Sequence, residues 1–327
     1  MGNVEVPKTL ILTAEDVSGL LCMSDVIRVV ESAFRAYGKP GVEMPPKSYL
    51  KVEKGDFRAM PASMGRVASI KWVNVHPGNR DRNLPTVMGV LVYSDAETGY
   101  PLALMDATAI TAYRTGATAA IASKYLARRG SRTLGLLGTG RQAHTQLLAH
   151  AELFDFEIVR AYDVRAGAAE SFVETYPDRC LVVCTLEEVL SSDIVCTLTT
   201  AKEPLVRREW VKSGAHINAV GADAEGKQEL DPRLLVDALV VVDDLRQAAA
   251  AGEINVPLSN GLFKLEQVHA TLSEVVNGDK AGRQTDGQIT VFDSTGIAIE
   301  DLATASLVYD RAREEAVGTA IELVKIR

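Results

Sequence analysis

The segment that decides the fold is Arg132-Thr133-Leu134-Gly135-Leu136-Leu137-Gly138-Thr139-Gly140-Arg141-Gln142-Ala143. It begins as a short apolar strand, and its Gly-x-Gly-x-x-Ala pattern leads into an amphipathic helix that starts near Gln142. Gly138 permits a tight turn, Gly140 lets the backbone approach a pyrophosphate closely, and Ala143 keeps the helix packed on the strand. The N-terminus of that helix offers N–H groups to phosphates. The segment therefore predicts the first strand–helix turn of a dinucleotide-binding unit.

An acidic residue at the end of the next strand supports this interpretation. Asp163 follows a predicted strand at 157–162, about two dozen residues after Gly138, where an acid that accepts hydrogen bonds from the adenosine ribose belongs. An acid at this position favours NAD over NADP because it repels a 2′-phosphate. Arg165 lies close by and leaves some use of NADP open.

Downstream of this turn, apolar strands alternate with helices. Further strands are predicted at 181–184, 194–199, 216–221 and 239–243. Uninterrupted apolar strands of this kind are typical of a parallel sheet that is covered on both faces. Thr199 and the segment Gly221-Ala222-Asp223 lie at or just past strand ends, the edge where open α/β sheets bind ligands. The expected fold is therefore α/β, with a Rossmann-type doubly wound parallel sheet over residues 116–296.

About a third of the chain precedes the turn, and there the apolar period is that of strands. An antiparallel or mixed sheet is predicted, followed by a long Ala- and Thr-rich helix from Asp106 to about Arg129. A further helix is predicted near the other end of the chain, from about Ile299 to Arg313. Because the dinucleotide turn is mid-chain, we expect the chain to return, so that residues 1–115 and 297–327 form one α+β domain.

Two cations in this first domain lie in apolar surroundings. Arg114 is flanked by small apolar residues and needs an anionic partner, either a structural carboxylate or a carboxylate or phosphate of a ligand. Lys71 lies within an apolar strand beside Trp72, and its position alone favours a solvent-facing side chain. Together with Lys47 and Arg58, these cations would make a carboxylate site if they converge next to a hydride acceptor. Asp223 is a candidate acid/base partner.

Composition narrows the classes of function. The 327 residues are 47% hydrophobic and 24% charged, which is ordinary for a globular protein with two full cores. A net charge of -8 argues against partners that are nucleic acids or anionic membranes. The four cysteines and five histidines show no metal-ligand spacing, so no metal is predicted. No signal peptide or long apolar span is visible, and we expect a cytoplasmic protein.

Several segments resemble the ornithine cyclodeaminase/μ-crystallin family, nearly end to end and in order. They are Lys71-Trp72-Val73-Asn74-Val75-His76-Pro77, Leu84-Pro85-Thr86-Val87, Arg114-Thr115-Gly116-Ala117, Gly138–Ala143, His216-Ile217-Asn218-Ala219-Val220-Gly221-Ala222-Asp223 and Phe292-Asp293-Ser294-Thr295-Gly296. Within the family, three further segments look most like the archaeal-type alanine dehydrogenases. These are Met44-Pro45-Pro46-Lys47, Gly55-Asp56-Phe57-Arg58-Ala59-Met60-Pro61 and Gly252-Glu253-Ile254-Asn255-Val256.

The resemblance implies an NAD-linked homodimer whose nucleotide domain is inserted in a first domain that carries substrate contacts and the dimer sheet. By the matching motifs, Lys71 and Asp223 would be catalytic, and Lys47 and Arg114 would hold the substrate carboxylate. The predicted cofactor contacts, with the glycines of the turn and two threonines near strand ends included, are Thr86, Gly138, Gly140, Arg141, Gln142, Asp163, Val164, Arg165, Thr199, Gly221, Ala222, Lys227 and Ser294.

One departure from the family pattern bears on the substrate. Where the cyclodeaminases place an acid for the distal ammonium of ornithine, this chain has Arg58, which would repel an ammonium and could grip a carboxylate. We therefore expect NAD-dependent oxidative deamination of a small L-amino acid, such as L-alanine to its 2-oxo acid, through an imino acid. Lys71 or Asp223 would activate the attacking water, and a lysine among cations is a plausible base. The alternatives are ornithine cyclodeamination, cyclic ketimine reduction, and a crystallin-like protein that binds NAD(P)H without turnover.

Overall fold

The computed structural model describes residues 8–325, apart from the side chain of Arg80. The chain forms two compact units. The first unit joins the chain up to Arg114 with the chain from Ile297 onward, and the second is Thr115–Gly296. The extreme ends of the predicted first domain, 1–7 and 326–327, lie outside the described residues.

The first unit is built on a mixed eight-stranded sheet. Its strands are β1 (Thr9–Leu12), β2 (Val42–Glu43), β3 (Ser48–Val52), β4 (Gly55–Met64), β5 (Val67–Val75), β6 (Val87–Asp95), β7 (Pro101–Asp106) and β16 (Thr319–Ile321). They are ordered β16–β1–β7–β6–β5–β4–β2, and β3 pairs with β4. The helices that begin in this unit are α1 (Ala14–Leu20), α2 (Met23–Ala36), α3 (Thr108–Leu126) and α11 (Ala298–Glu314).

The two faces of this sheet differ. A row of directly opposed side chains on β4 to β7 is buried, namely Met60, Lys71, Leu91 and Met105. Helix α11 packs on β4, β5 and β6, and α2 packs on α11. The alternate positions form the opposite face, where Ile70, Trp72 and Val90 remain 40%, 40% and 47% exposed. The face carrying Lys71 is therefore the core face, because side chains alternate along a strand.

Helix α3 starts two residues later than its sequence predicts. Asp106 ends β7, and its carboxylate accepts hydrogen bonds from the N–H groups of Thr108 and Ala109. An aspartate in this position satisfies N–H groups that have no partner inside the first turn of a helix. Asp106 therefore lies just before the helix and binds its first N–H groups, and it is not the first residue of the helix.

The second unit contains an eight-stranded sheet in the order β10–β9–β8–β11–β12–β15–β13–β14, and every pairing is parallel. Its strands are β8 (Thr133–Leu137), β9 (Ile158–Tyr162), β10 (Leu181–Val183), β11 (Ile194–Thr197), β12 (His216–Ala219), β13 (Leu239–Val242), β14 (Val268–Thr271) and β15 (Thr290–Asp293). The helices are α4 (Arg141–Ala151), α5 (Ala168–Glu174), α6 (Leu186–Leu190), α7 (Pro232–Asp237), α8 (Leu245–Ala251), α9 (Asn255–Ser259) and α10 (Leu272–Asn277).

The central strands β8, β11, β12, β13 and β15 are almost wholly buried, as their unbroken apolar runs predict. Strand β8 starts the sheet, β9 and β10 extend it on one side, and β11 and β12 extend it on the other. The order in which the chain adds strands to the sheet thus reverses between β8 and β11, and this switch point is where open α/β sheets bind ligands. This confirms the predicted Rossmann-type doubly wound sheet inserted in an α+β unit.

Candidate active site

Lys71 lies at the centre of the first unit. Its side chain is fully buried, and its ammonium donates to Asp301 Oδ1 at 2.7 Å and to Thr111 Oγ1 at 3.2 Å. The solvent-facing orientation favoured by its strand position is therefore wrong. Trp72 and the neighbouring apolar residues take the open face, which leaves Lys71 on the face covered by α11.

The protonation of Lys71 is finely balanced. Burial lowers the pKa of Lys71 to about 7, although the charge of Asp301 raises it and that of Arg114 lowers it again. A lysine in this state exists in both forms near neutral pH, so it can accept or donate a proton without a large penalty.

Arg114 meets the structural carboxylates that its surroundings require. Its Nη1 contacts Glu300 Oε2 at 2.6 Å, and its Nε lies 3.0 Å from Asp301 Oδ1. Asp301 Oδ1 thus contacts the cations of both Lys71 and Arg114. Of the two alternatives for Arg114, the structure shows pairing with carboxylates of the chain itself, and its predicted contact with a substrate carboxylate stays a prediction.

Glu300 and Asp301 were missed from the sequence. Both lie in the first turn of α11, where acids are ordinary because they favour the positive end of the helix dipole. Their burial, at 0% and 1% exposure, is what sets them apart. The signal that could have found them is charge balance, since two buried cations upstream demand two buried acids elsewhere in the chain.

Arg58 lies on the same face of the sheet as Lys71, opposite Val73 on β5. It is 5% exposed, its Nε donates to Asp56 Oδ1 at 2.8 Å, and its guanidinium lies 5.4 Å from the centre of the Tyr49 ring. Asp56 is a third acid that was not identified from the sequence, and it offsets part of the positive charge of Arg58.

Lys47 and Thr86 are the two other residues of the first unit with predicted roles in binding. Lys47 is half-buried immediately before β3, and Thr86 is half-buried immediately before β6. The carbonyl of Thr86 accepts a hydrogen bond from the backbone of His76 at 2.8 Å. Their roles in binding stay predictions.

The glycine turn of the second unit fits a pyrophosphate. Gly138 has φ +97°, which favours glycine, and a Cβ there would lie 3.1 Å from the carbonyl oxygen of Leu198. Gly140 precedes the first residue of α4, no side chain caps this helix, and a Cβ on Gly140 would meet nothing within 4 Å. Arg141 is exposed and Gln142 half-buried in the first turn. The uncapped helix N-terminus therefore faces open space that a phosphate can enter.

Asp163 follows β9, as predicted, and its carboxylate is held by protein donors. Oδ2 accepts from Thr139 N at 2.9 Å, and Arg165 contacts both oxygens through Nε at 2.9 Å and Nη2 at 2.8 Å. Burial alone would raise the pKa of Asp163, but the hydrogen bonds from Arg165 and Thr139 hold it well below its usual value. Asp163 is thus a carboxylate, as its predicted ribose contact requires. Val164, which lies between Asp163 and Arg165 in the sequence, is 87% exposed.

The remaining predicted residues lie past the carboxyl ends of the central strands. Asp223 Oδ1 and Lys227 Nζ form an ion pair at 2.5 Å. Thr199 and Gly221 both contact the carboxylate of Glu229. Ala222 is buried, and Ser294 is buried with its N–H on the carbonyl oxygen of Ala219 at 2.9 Å. The structure therefore gathers the predicted cofactor residues of this unit along one edge of the sheet.

Two negative findings concern the described part of the chain. Within residues 8–325, no group of three or more His, Cys, Asp or Glu side chains is arranged to hold a metal ion. Among the helices of that same range, none combines the length and the apolar character needed to span a bilayer.

Known proteins resemble this chain in both sequence and fold. The family model for the ornithine cyclodeaminase/mu-crystallin family matches residues 7–316. The alanine dehydrogenase of Archaeoglobus fulgidus is 50% identical over 321 residues, which are 98% of this chain and 100% of that protein. The solved structure of an archaeal alanine dehydrogenase dimer with bound NAD has a TM-score of 0.95 at 50% identity and covers 97% of this chain and 100% of its own.

A second solved structure is that of Δ(1)-pyrroline-2-carboxylate reductase from Thermococcus litoralis in complex with NADH and L-proline. It has a TM-score of 0.92 at 36% identity and covers 95% of this chain and 99% of its own. These matches extend over almost the whole sequence, which confirms the resemblance found in its motifs. The chain belongs to the ornithine cyclodeaminase/μ-crystallin family.

Proposed function

We propose that this protein catalyses the reversible NAD-dependent oxidative deamination of L-alanine to pyruvate and ammonia through an imino acid. At the level of enzyme class it is an NAD-dependent amino-acid dehydrogenase. The observation that carries the proposal is the match to an alanine dehydrogenase that is 50% identical and is covered over its whole length. In this chain Lys71 is buried and is a candidate for the catalytic base. The identity of the amino acid is our inference.

The residues of the second unit suit NAD. The glycine turn and the N-terminus of α4 would hold the pyrophosphate, and Asp163 would bind the adenosine ribose once Arg165 moves aside. When bound, NAD supplies the acceptor for the hydride of the substrate α-carbon. Thr86 and the strand-end residues Thr199, Gly221, Ala222, Lys227 and Ser294 complete the proposed contacts.

The first unit supplies the proposed substrate chemistry. Lys71, neutral in a large fraction of molecules near pH 7, takes the proton from the substrate ammonium and so makes its nitrogen lone pair available. Arg114 and Lys47 bind the α-carboxylate. Asp223, which pairs with Lys227, accepts the proton of the water that adds to the imino acid. Lys71 leaves this step as an ammonium that donates to Asp301 Oδ1, and it becomes the neutral base again when it gives this proton to the departing ammonia or to solvent.

Arg58 supports a short side chain on the substrate. It is a nearly buried cation on the same sheet face as Lys71, and a second ammonium, as in ornithine, would be repelled by it. Asp56 weakens this discrimination because it pairs with Arg58 at 2.8 Å. Reduction of a cyclic imine is the second candidate, favoured by the similarity to the pyrroline-carboxylate reductase.

The three activities separate in one set of assays on the purified protein. NADH formation from L-alanine is expected, with pyruvate and ammonia in equal amounts. Proline formation from L-ornithine without net NADH would replace the dehydrogenase with a cyclodeaminase. Oxidation of NADH by Δ(1)-pyrroline-2-carboxylate, with no turnover of L-alanine, would establish the cyclic imine reductase. NADH binding with none of these reactions would indicate a non-catalytic binder.

We also propose that the protein is a homodimer joined through the outer face of the sheet in the first unit. On that face Trp72 and Val90 are directly opposed, as are Ile70 and Val92, and Ile70, Trp72 and Val90 are 40%, 40% and 47% exposed. An apolar patch on the open face of a sheet is typical of an interface. A related alanine dehydrogenase is a dimer, which supports the same state here. The cytoplasmic location stays a prediction.

A further inference from the structure

A buried carboxylate ties together two strand ends of the second unit. Glu229 is fully buried, and its carboxylate accepts four hydrogen bonds. Thr197 Oγ1 and Gly221 N donate to Oε2 at 2.6 and 2.9 Å, while Thr199 donates to Oε1 through N at 2.8 Å and through Oγ1 at 2.7 Å. Thr197 ends β11, and Gly221 lies just past the end of β12. One side chain therefore fixes two neighbouring loops at the carboxyl edge.

A second and a third carboxylate hold Glu229 in turn. Glu253 is buried and accepts from the N–H of Glu229 at 3.0 Å and from the N–H of Leu230 at 2.7 Å. The N–H groups of Glu253 and Ile254 donate to Asp293, the last residue of β15, at 2.9 and 3.1 Å. A line of three buried acids thus connects the end of β15 to the ends of β11 and β12.

Two glycines leave the space that these acids occupy. A Cβ on Gly221 would lie 2.2 Å from the carbonyl oxygen of Thr199 and 2.5 Å from Glu229 Oε2. A Cβ on Gly252 would lie 2.5 Å from Asp293 Oδ2. All three distances are far shorter than real Cβ contacts, so the close approach of these atoms requires glycine at both positions. The backbone and the carboxylates are fitted to each other at both points.

This arrangement is an unusual way to stabilise a sheet. Burying a carboxylate is unfavourable unless its hydrogen bonds are complete, and apolar side chains of similar size generally stabilise a core at least as well. What the four bonds of Glu229 do uniquely is to fix the backbone at Thr199 and Gly221. These two residues are proposed NAD contacts, and the proposed catalytic residue Asp223 follows Gly221 by two positions.

We infer that Glu229 is a positioning residue, which holds the Thr199 and Gly221 loops in the arrangement that binds NAD and presents Asp223. The inference rests on the proposed NAD-dependent function. It predicts that loss of the Glu229 carboxylate weakens cofactor binding beyond any general loss of stability. A merely structural carboxylate would lower stability alone.

The same sheet offers a matched control at its opposite edge. Asp193 Oδ2 accepts from Arg132 N at 2.9 Å, from Thr133 N at 3.0 Å and from Thr133 Oγ1 at 2.9 Å. It therefore ties the amino ends of β8 and β11, with the same types of donor, at the edge away from the proposed cofactor contacts. Asp193 also pairs with Arg128 and Lys212, so Asp193→Asn removes a carboxylate that has these ion pairs in addition to the same types of neutral donor.

The experiment compares Glu229→Gln, Asp193→Asn and Thr197→Val in the full chain. It measures the thermal midpoint, the Kd for NADH by fluorescence, and the KM for NAD against kcat. We expect both carboxylate variants to lower the midpoint, but only Glu229→Gln to raise the Kd, by about tenfold or more, as expected when charge-assisted hydrogen bonds are lost. Thr197→Val removes one donor to Glu229 and should raise the Kd in the same direction but less.

Equal changes of Kd in Glu229→Gln and Asp193→Asn would overturn the inference, as would an unchanged Kd in Glu229→Gln. If Glu229→Gln fails to fold, Thr197→Val decides, and an unchanged Kd in that variant overturns the inference. The proposed function fails separately, because wild-type protein that binds NADH without turning over L-alanine would contradict that function and leave the comparison of Kd values intact.

Discussion

Replacing Asp301 by asparagine should move the pH dependence of catalysis to lower pH. If neutral Lys71 is the base, kcat/KM for L-alanine rises as pH increases through the pKa of Lys71, which is about 7. The negative charge of Asp301 stabilises the ammonium form and therefore raises that pKa. Asparagine keeps a hydrogen-bond acceptor for Lys71 but removes the charge, so the neutral base is present at lower pH.

The geometry sets the size of the shift. Asp301 Oδ1 lies 2.7 Å from Lys71 Nζ, and both side chains are 1% exposed, so solvent screens the pair very little. An opposite charge at such a distance typically shifts a pKa by about 1–3 units. At pH 6 about a tenth of Lys71 is neutral in the wild type, and about half or more would be neutral in the variant. The rate at pH 6, relative to the plateau, should rise accordingly.

The assay is kcat/KM for L-alanine over about pH 5 to 9.5, since this ratio reports groups of the free enzyme. Glu300→Gln is the control because Glu300 contacts Arg114 at 2.6 Å and affects the pKa of Lys71 less than Asp301 does. It should raise KM for the amino acid with a smaller shift of the acidic limb. If the acidic limb of the kcat/KM profile of Asp301→Asn stays at the wild-type pH or moves to higher pH, the reasoning is wrong, irrespective of the plateau value of kcat/KM.

Four further outcomes are expected. Lys71→Met should lower kcat about 100-fold or more while NADH still binds, and full activity would remove Lys71 from the mechanism. Asp223→Asn should do the same, with unchanged turnover as the contradicting result. Asp163→Ser should lower kcat/KM with NAD and raise it with NADP, because the released Arg165 can bind a 2′-phosphate, and an unchanged ratio would argue against the ribose contact. Trp72→Glu should give monomers by light scattering, and a persisting dimer would place the interface elsewhere.

The second unit could be predicted well because its evidence is local. The turn at Gly138 and Gly140, the acid at Asp163 and the apolar strands each depend on neighbours within about thirty residues. Parallel strands buried on both faces also leave no choice of face to decide. The predicted residues there accordingly lie on one edge of the observed sheet.

The buried face of the sheet in the first unit could not be predicted from the sequence, because only one of the two faces is covered. The alternation along β5 shows that Lys71 and Trp72 point to opposite sides, but it does not say which side is covered. That is decided by α11, which comes from the other end of the sequence. Glu300 and Asp301 could not be identified from the sequence for the same reason. Acids in the first turn of a helix are usually explained by their favourable interaction with the helix dipole.

The separation of Lys71 from Asp301 by 230 positions also has a consequence during synthesis. Strands β1 to β7 of the first unit leave the ribosome early, yet the acids that neutralise Lys71 and Arg114 arrive only with α11, after all of Thr115–Gly296. Domains tend to fold as units in the order in which they are made, so the inserted unit can fold while the first waits. Until α11 docks, neither Lys71 on the core face nor Arg114 on α3 has these acids beside it, and the core face should stay hydrated and open. Completion of the chain is thus coupled to assembly of the catalytic charges, and a nascent or truncated chain that lacks α11 should have no active lysine.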